Sequence, residues 1–273
     1  MPTTQRSLEN LHWPDVAVQL KRPGATVVWP FGAVEQHGPQ LPLSTDVLFA
    51  DVVLDRVLSG LSPELPIWRL PAQAFGFSPE HAGFPGTLSL PADLVLRLVE
   101  SIGRQLADLG VRRLVLFNAH GGQIGLLQVA ARELRSRAPT LAVLPCFLWS
   151  GVTDLGSLIP EGELETGLHA GLAETSLMLA LRPDLVGVQR PVDGDHVSPQ
   201  SAAAPPRGWS LEGAAPCAWL TSDLSASGVV GDSRSASPEL GQRLEQALVN
   251  HWQELFRSLL ASEWPPVDSV VRS

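Results

Sequence analysis

The sequence predicts an α/β fold, a three-layer sandwich around a mostly parallel sheet, and three observations carry that prediction. Residues 25–34, ATVVWPFGAV, are a nearly continuous apolar and β-branched run, the pattern of a strand covered on both faces. Further short apolar runs follow at 66–70, 114–117 and 140–147. Between them, residues 92–109 and 124–137 carry helical periodicity. Strand, helix and strand alternating in this way imply parallel crossovers, with ligands expected outside the carboxyl ends of the strands.

The elements follow in chain order. After the first strand, Thr45 and Asp46 open VLFADVVLDRVLSG, an apolar-periodic helix that either residue would cap and Gly60 would end. The stretch 169–181, HAGLAETSLMLAL, is apolar and helical in composition and stops at Arg182-Pro183, where proline breaks it. Residues 191–228 are rich in Pro, Ser, Ala and Gly and too long for an ordinary connection, so they read as a functional lid or an assembly arm. Order returns at Ser237-Pro238, a cap with proline at the first helical position, which leads into the long amphipathic helix LGQRLEQALVNHWQELFRSLL.

Composition bounds the function. No break in composition divides the 273 residues, which predicts one domain over 1–273, and 44% hydrophobic against 17% charged residues supplies a sizeable core. No apolar run approaches the ~20 residues of a membrane span, and the N-terminus lacks the features of a secretory signal, so a cytoplasmic protein without membrane contact is expected. A net charge of -9 with no basic cluster beyond Arg112-Arg113 argues against nucleic acid as a partner. Cys146 and Cys217 lack CxxC spacing and read as buried thiols rather than a disulfide or thiolate metal site.

Chemistry concentrates in four glycine-bearing segments. In EQHGPQLPLSTD, directly after the first strand, Glu35 and His37 would point to one side of an extended chain, and a Gly38-Pro39 turn would return the chain to bring Asp46 alongside. That set suits a metal, although Asp46 taken alone reads better as a helix cap. In LVLFNAHGGQ, His120 follows a buried strand, and Gly121 and Gly122 permit close approach of backbone to an ion or substrate; no phosphate-loop signature is present. Glu174 lies in an otherwise apolar helix, so it needs a cation, an arginine or solvent. His81, in SPEHAGFPGT, belongs to a structural turn or to a pocket wall.

These segments resemble the creatininase (creatinine amidohydrolase) family, whose hallmarks are matched in order by EQHGPQLPLSTD, SPEHAGFPGT, FNAHGG, HAGLAETS and GVVGDSRSAS. The resemblance implies a creatininase-like fold and a cytoplasmic homo-oligomer, a hexamer. It also implies two divalent metal ions per chain, zinc first with manganese or iron as alternatives, and hydrolysis of a carbon–nitrogen bond in a small amide. It assigns Glu35, His37, Asp46 and His120 as metal ligands with Asp46 as the bridge, and His169 as the catalytic histidine that protonates the departing nitrogen. Creatinine hydrolases carry a further carboxylate ligand two residues after the histidine matched by His120; here that residue is Gly122, and Glu174 is the expected substitute, as ligand and catalytic carboxylate. Trp149 matches a substrate-lid tryptophan, and His81, Gly121 and Gly122 are expected to line the substrate site. Formamide deformylation, trimming of a small modified peptide and a non-catalytic metal-stabilised scaffold are the competing readings.

Glu165 stands where the family's second lid tryptophan is expected, and it cannot stack on a flat ring. Creatinine is therefore predicted to be a poor substrate, and steady-state turnover of creatinine matching that of the best amide in a panel would contradict this reading.

Overall fold

The computed structural model describes residues 6–266 apart from 196, 197, 199 and 203. Four strands form the main sheet: β1 (Thr26–Phe31), β2 (Ile67–Arg69), β3 (Arg113–Asn118) and β4 (Ala142–Phe147). All pair in parallel, in the order β2-β1-β3-β4. The helices are α1 (Trp13–Gln19), α2 (Thr45–Leu48), α3 (Leu54–Ser59), α4 (Ala92–Asp108), α5 (Ile124–Arg137), α6 (Leu155–Leu158), α7 (Glu161–Thr166), α8 (Leu172–Leu181), α9 (Thr221–Leu224) and α10 (Pro238–Ala261). Among the described residues no helix is long and apolar enough to cross a membrane.

Alternation along the buried strands builds the three layers. Val28, Ile67, Val115 and Phe117 pack to one side with Phe49, Val57, Leu177, Leu248 and Trp252. Val27, Trp29, Phe31, Leu114 and Leu116 pack to the other with Val95, Val99, Leu127 and Leu134. The first face is thus covered by α2, α3, α8 and α10, and the second by α4 and α5. This is the period-two division of a strand buried on both faces. Pro30 is tolerated inside β1 because its carbonyl side faces β2, which ends after three residues and rejoins only at Gln73.

Local signals met different fates. Ser237 caps α10, its Oγ accepting from Leu240 N at 3.1 Å with Pro238 in the first turn. The helix expected from 45 to 60 is present, but a π-helical segment, Phe49–Val53, separates α2 from α3. Ser44 occupies the N-cap position of α2 without a side-chain cap bond, so the capping roles read for Thr45 and Asp46 are not realised. Thr45 Oγ1 instead donates to the Pro42 carbonyl at 2.7 Å. Within 191–228, strand β5 (Val192–Asp193) pairs antiparallel with β6 (Gly231–Asp232).

Two close approaches position the later chemistry. Gly32 ends β1, and a Cβ there would lie 2.5 Å from Val47 N, so only glycine lets the first turn of α2 sit back against the strand end. Gly241 lets α10 lie along α8: a Cβ there would stand 2.6 Å from the Ser176 carbonyl carbon and 2.9 Å from Ala180 Cβ. In an exposed helix Gly→Ala stabilises by about 1 kcal/mol, but here overpacking of roughly 1–3 kcal/mol outweighs it. Gly241→Ala should therefore lower stability in urea unfolding, and an unchanged or raised midpoint would contradict this packing.

Candidate metal centre

The site lies at the carboxyl ends of β1 and β3, where the strand order reverses direction, the usual crevice of an open parallel sheet. After β1, Glu35 N donates to Leu43 O at 3.0 Å and His37 bridges to Leu41, so the loop doubles back. Gly38, with φ 64°, makes the turn. Asp46 then enters on the first turn of α2. After β3, the Asn118 side chain brackets His120: Oδ1 accepts from His120 N at 3.0 Å and Nδ2 donates to His120 O at 2.6 Å. Gln123 ties the two loops, its Nε2 donating to Asn118 Oδ1 and to Gly32 O. His169 precedes Ala170, whose φ of 54° is the one left-handed non-glycine conformation among the described residues. That strain is held by Ala170 N donating to Glu174 Oε2 and by Ala170 O accepting from Gln40 and Thr175.

These loops converge on Asp46. His37 Nε2 lies 3.3 Å from Asp46 Oδ1, and His120 Nδ1 lies 3.3 Å from Asp46 Oδ2. Glu35 Oε1 stands 3.2 Å from His120 Nδ1 and 3.4 Å from His81 Nε2, with His37 Nε2 and His169 Nδ1 each at 4.0 Å. Glu35 and His37 are fully buried, yet both Glu35 carboxylate oxygens, His37 Nε2 and Asp46 Oδ2 make no hydrogen bond. Three sets of potential ligand atoms lie within 4.8 Å of one another: Glu35, His37 and His169; Glu35, Glu80 and His120; His37, Asp46 and Glu174.

Burial opposes charge on every imidazole here. At His37 the charges of Asp46, Glu174 and Glu35 outweigh it, and the pKa is held up at about 9. At His120, Glu35, Asp46 and Glu80 do the same and hold the ring well above its usual range. Burial wins at His81, depressed to about 3, and at His169, held well below the usual value. Burial also pushes the Glu174 carboxyl up to about 7, against the pull of His37. Positive charge is thus drawn to the two imidazoles flanking Asp46.

Hydrogen bonds fix the other two rings. Gln36 Nε2 donates to Gly228 O and Gln36 Oε1 accepts from Gly38 N, so the amide orientation is set; Nε2 then donates to His81 Nδ1 at 2.8 Å, leaving the His81 proton on Nε2, facing Glu35. His169 Nε2 donates to the Gln36 carbonyl at 2.7 Å, so its Nδ1 is bare and turned toward Glu35.

A cavity of about 1010 Å³ opens above this floor. Glu35, Asp46, His81, His120, Gly121, Gly122, His169 and Glu174 all line it, together with Trp149, so residues singled out in four separate segments meet in one place; His37 lies beneath, fully buried. Glu165 is exposed and absent from the wall. Sequence reasoning passed over Glu80, although it adjoins His81. It also passed over Trp219, because 191–228 has no periodicity from which to read it; Leu211, Cys217 and Trp219 from that stretch form a wall of the cavity. His196 lies outside the described residues. Neither cysteine is fully buried, contrary to expectation, and burial pushes the Cys146 thiol up to about 12, which leaves it no thiolate character.

The family model described as creatinine amidohydrolase matches residues 9–256. The chain belongs to the creatininase family. A mycofactocin precursor peptide peptidase of Mycobacterium tuberculosis is 34% identical over 238 residues, covering 85% of this chain and 84% of the relative. Creatinine amidohydrolase of Pseudomonas putida is 31% identical over 270 residues, covering 94% and 96%. A solved structure described as a manganese creatininase superposes with a TM-score of 0.76 at 27% identity, covering 95% of this chain and all of that one (100%). This creatininase-family chain is a hydrolase of carbon–nitrogen bonds, and its cluster of buried carboxylates and imidazoles is a candidate metal-binding site.

Proposed function

We propose that this protein cleaves an amide carbon–nitrogen bond with the help of two divalent ions, and that its substrate is a short modified peptide rather than creatinine. The observation that carries the metal reading is the set of buried atoms without hydrogen bonds, both Glu35 oxygens, His37 Nε2 and Asp46 Oδ2, with Asp46 facing an imidazole on either side. Buried charges left this way cost several kcal/mol unless cations meet them. The residues fit such a pair: Glu35, His120 and Asp46 Oδ2 would hold one ion, and His37, Asp46 Oδ1 and Glu174 the other. Oxygen and imidazole donors without thiolate suit zinc, manganese or iron, with zinc favoured by the two histidines.

When bound, the ions supply Lewis acidity, which lowers the pKa of water and polarises an amide carbonyl. The chain supplies the rest. His169 rests neutral, its Nε2 proton committed to the Gln36 carbonyl, so Nδ1 is free to take up a proton and hand it to the departing nitrogen. His81 Nε2 carries a proton that faces Glu35 Oε1 across 3.4 Å without forming a hydrogen bond to it. Trp149, Trp219, Ile159 and Leu211 give the cavity an apolar wall. Its volume of about 1010 Å³ accommodates far more than a single small ring, and the relationship to a peptide-trimming hydrolase at 34% identity agrees with a peptide occupant.

Elemental analysis of purified protein should find close to two divalent ions per chain. Asp46→Ala should lose metal, whereas His169→Ala should keep it and lose turnover by about 10²–10⁴-fold. Equal metal loss in both variants would refute the division of roles. Across a panel of cyclic amides, formamides and short peptides, the peptides should turn over fastest; a preference for the small rings would overturn the substrate reading alone.

A further inference from the structure

Glu80 is the acidic group at the cavity floor that the ligand set above leaves unused. It sits on the 3₁₀ turn Pro79–His81, its side chain 12% exposed. Among the described residues its carboxylate accepts no hydrogen bond beyond the one that His120 Nε2 can offer. Oε1 lies 3.3 Å from His120 Nε2, but that nitrogen is closer to the Phe77 carbonyl, at 2.9 Å, and also has Ser78 Oγ at 3.3 Å. Ligand-type atoms of Glu80, Glu35 and His120 fall within 4.8 Å of one another, and the two Glu35 oxygens are buried without hydrogen bonds. Two carboxylates brought this close repel, and a cation between them is what such an arrangement accommodates.

The adjacent glycines give an independent observation. A Cβ on Gly121 would meet nothing within 4 Å. A Cβ on Gly122 would overlap Glu80 Oε1 and stand 2.6 Å from Glu80 Cδ and 2.7 Å from His120 Nε2. Gly122 is not in the left-handed region, so its backbone conformation does not call for glycine. Space does: the Glu80 carboxylate, from a loop 42 residues earlier in the chain, fills the volume where a side chain at 122 would begin.

We propose that Glu80 is a ligand of the ion held by Glu35 and His120, and that position 122 must be glycine to leave room for its carboxylate. The inference rests on the metal-dependent reading and adds a fourth carboxylate to Glu35, Asp46 and Glu174, bringing the negative charge to that of two divalent cations. It also accounts for the absence of a carboxylate at 122: the charge enters the same space from another loop.

The test titrates Zn²⁺ or Mn²⁺ into the metal-free full-length chain, followed by calorimetry and elemental analysis, with circular dichroism to confirm the fold. Wild type should take up two ions. Glu80→Gln, which keeps the side chain's shape, should lose one ion or bind it at least about tenfold more weakly, with the other unchanged. Gly122→Ala should weaken the same ion, because its Cβ displaces the carboxylate. The exchange Glu80→Gly with Gly122→Glu should recover affinity toward wild type. Glu80→Gln holding both ions at wild-type affinity would overturn the proposal and leave the metal reading standing, since a residue that merely accepted from His120 would keep that bond as an amide. A wild-type chain that took up no ion would instead defeat the metal reading itself.

Discussion

The arrangement depends on a charge imbalance placed where water is scarce. Glu35, His37 and Asp46 are essentially sealed from solvent, and four of their polar atoms have no hydrogen bond. A domain with a margin of some 5–15 kcal/mol keeps such a cluster only if something offsets it. Without ions the offset is protons, taken up by His37 and His120 under the field of the carboxylates. Divalent cations would replace those protons, so the basic shift of these two rings and the proposed metal binding would have one physical cause.

The fold serves that cluster through backbone proximity. Parallel pairing of β1 and β3 brings the loops bearing Glu35 and His120 side by side, and the missing side chain at Gly32 lets α2 close in with Asp46 between them. Helix α8 delivers Glu174, and its packing against α10 depends on the missing side chain at Gly241. The 191–228 stretch is tied to the same cluster, since Thr221 Oγ1 lies 2.7 Å from His81 Nδ1 and His81 Nε2 stands 3.4 Å from Glu35 Oε1. A chain of contacts from the opening of α9 to a buried carboxylate thus links the cavity wall to the candidate metal centre.

Much of this was legible in the sequence. The β-branched run at 25–34 and its helical neighbours specify a parallel sheet because burial on both faces leaves no polar alternation to confuse the period. The strand nonetheless stops at Phe31, and Gly32 beyond it meets the first turn of α2. Asp46 could be recognised only in company: alone it imitates a cap, and the cap position in fact belongs to Ser44, whose side chain makes no cap bond. Glu80 was hidden because its meaning lies in the empty side-chain space at Gly122, a relation between loops that no local pattern encodes. Trp219 was hidden for another reason, standing in a Pro- and Ser-rich stretch whose course is dictated by tertiary contacts.

Asp46 is proposed to lie between two cations. Crystals grown with Zn²⁺ and measured at wavelengths on either side of the zinc absorption edge test it most directly. Two anomalous peaks are expected to flank the Asp46 carboxylate, one beside His37 Nε2 and the other beside His120 Nδ1. No peak in the cluster, or a single peak away from Asp46, would contradict it.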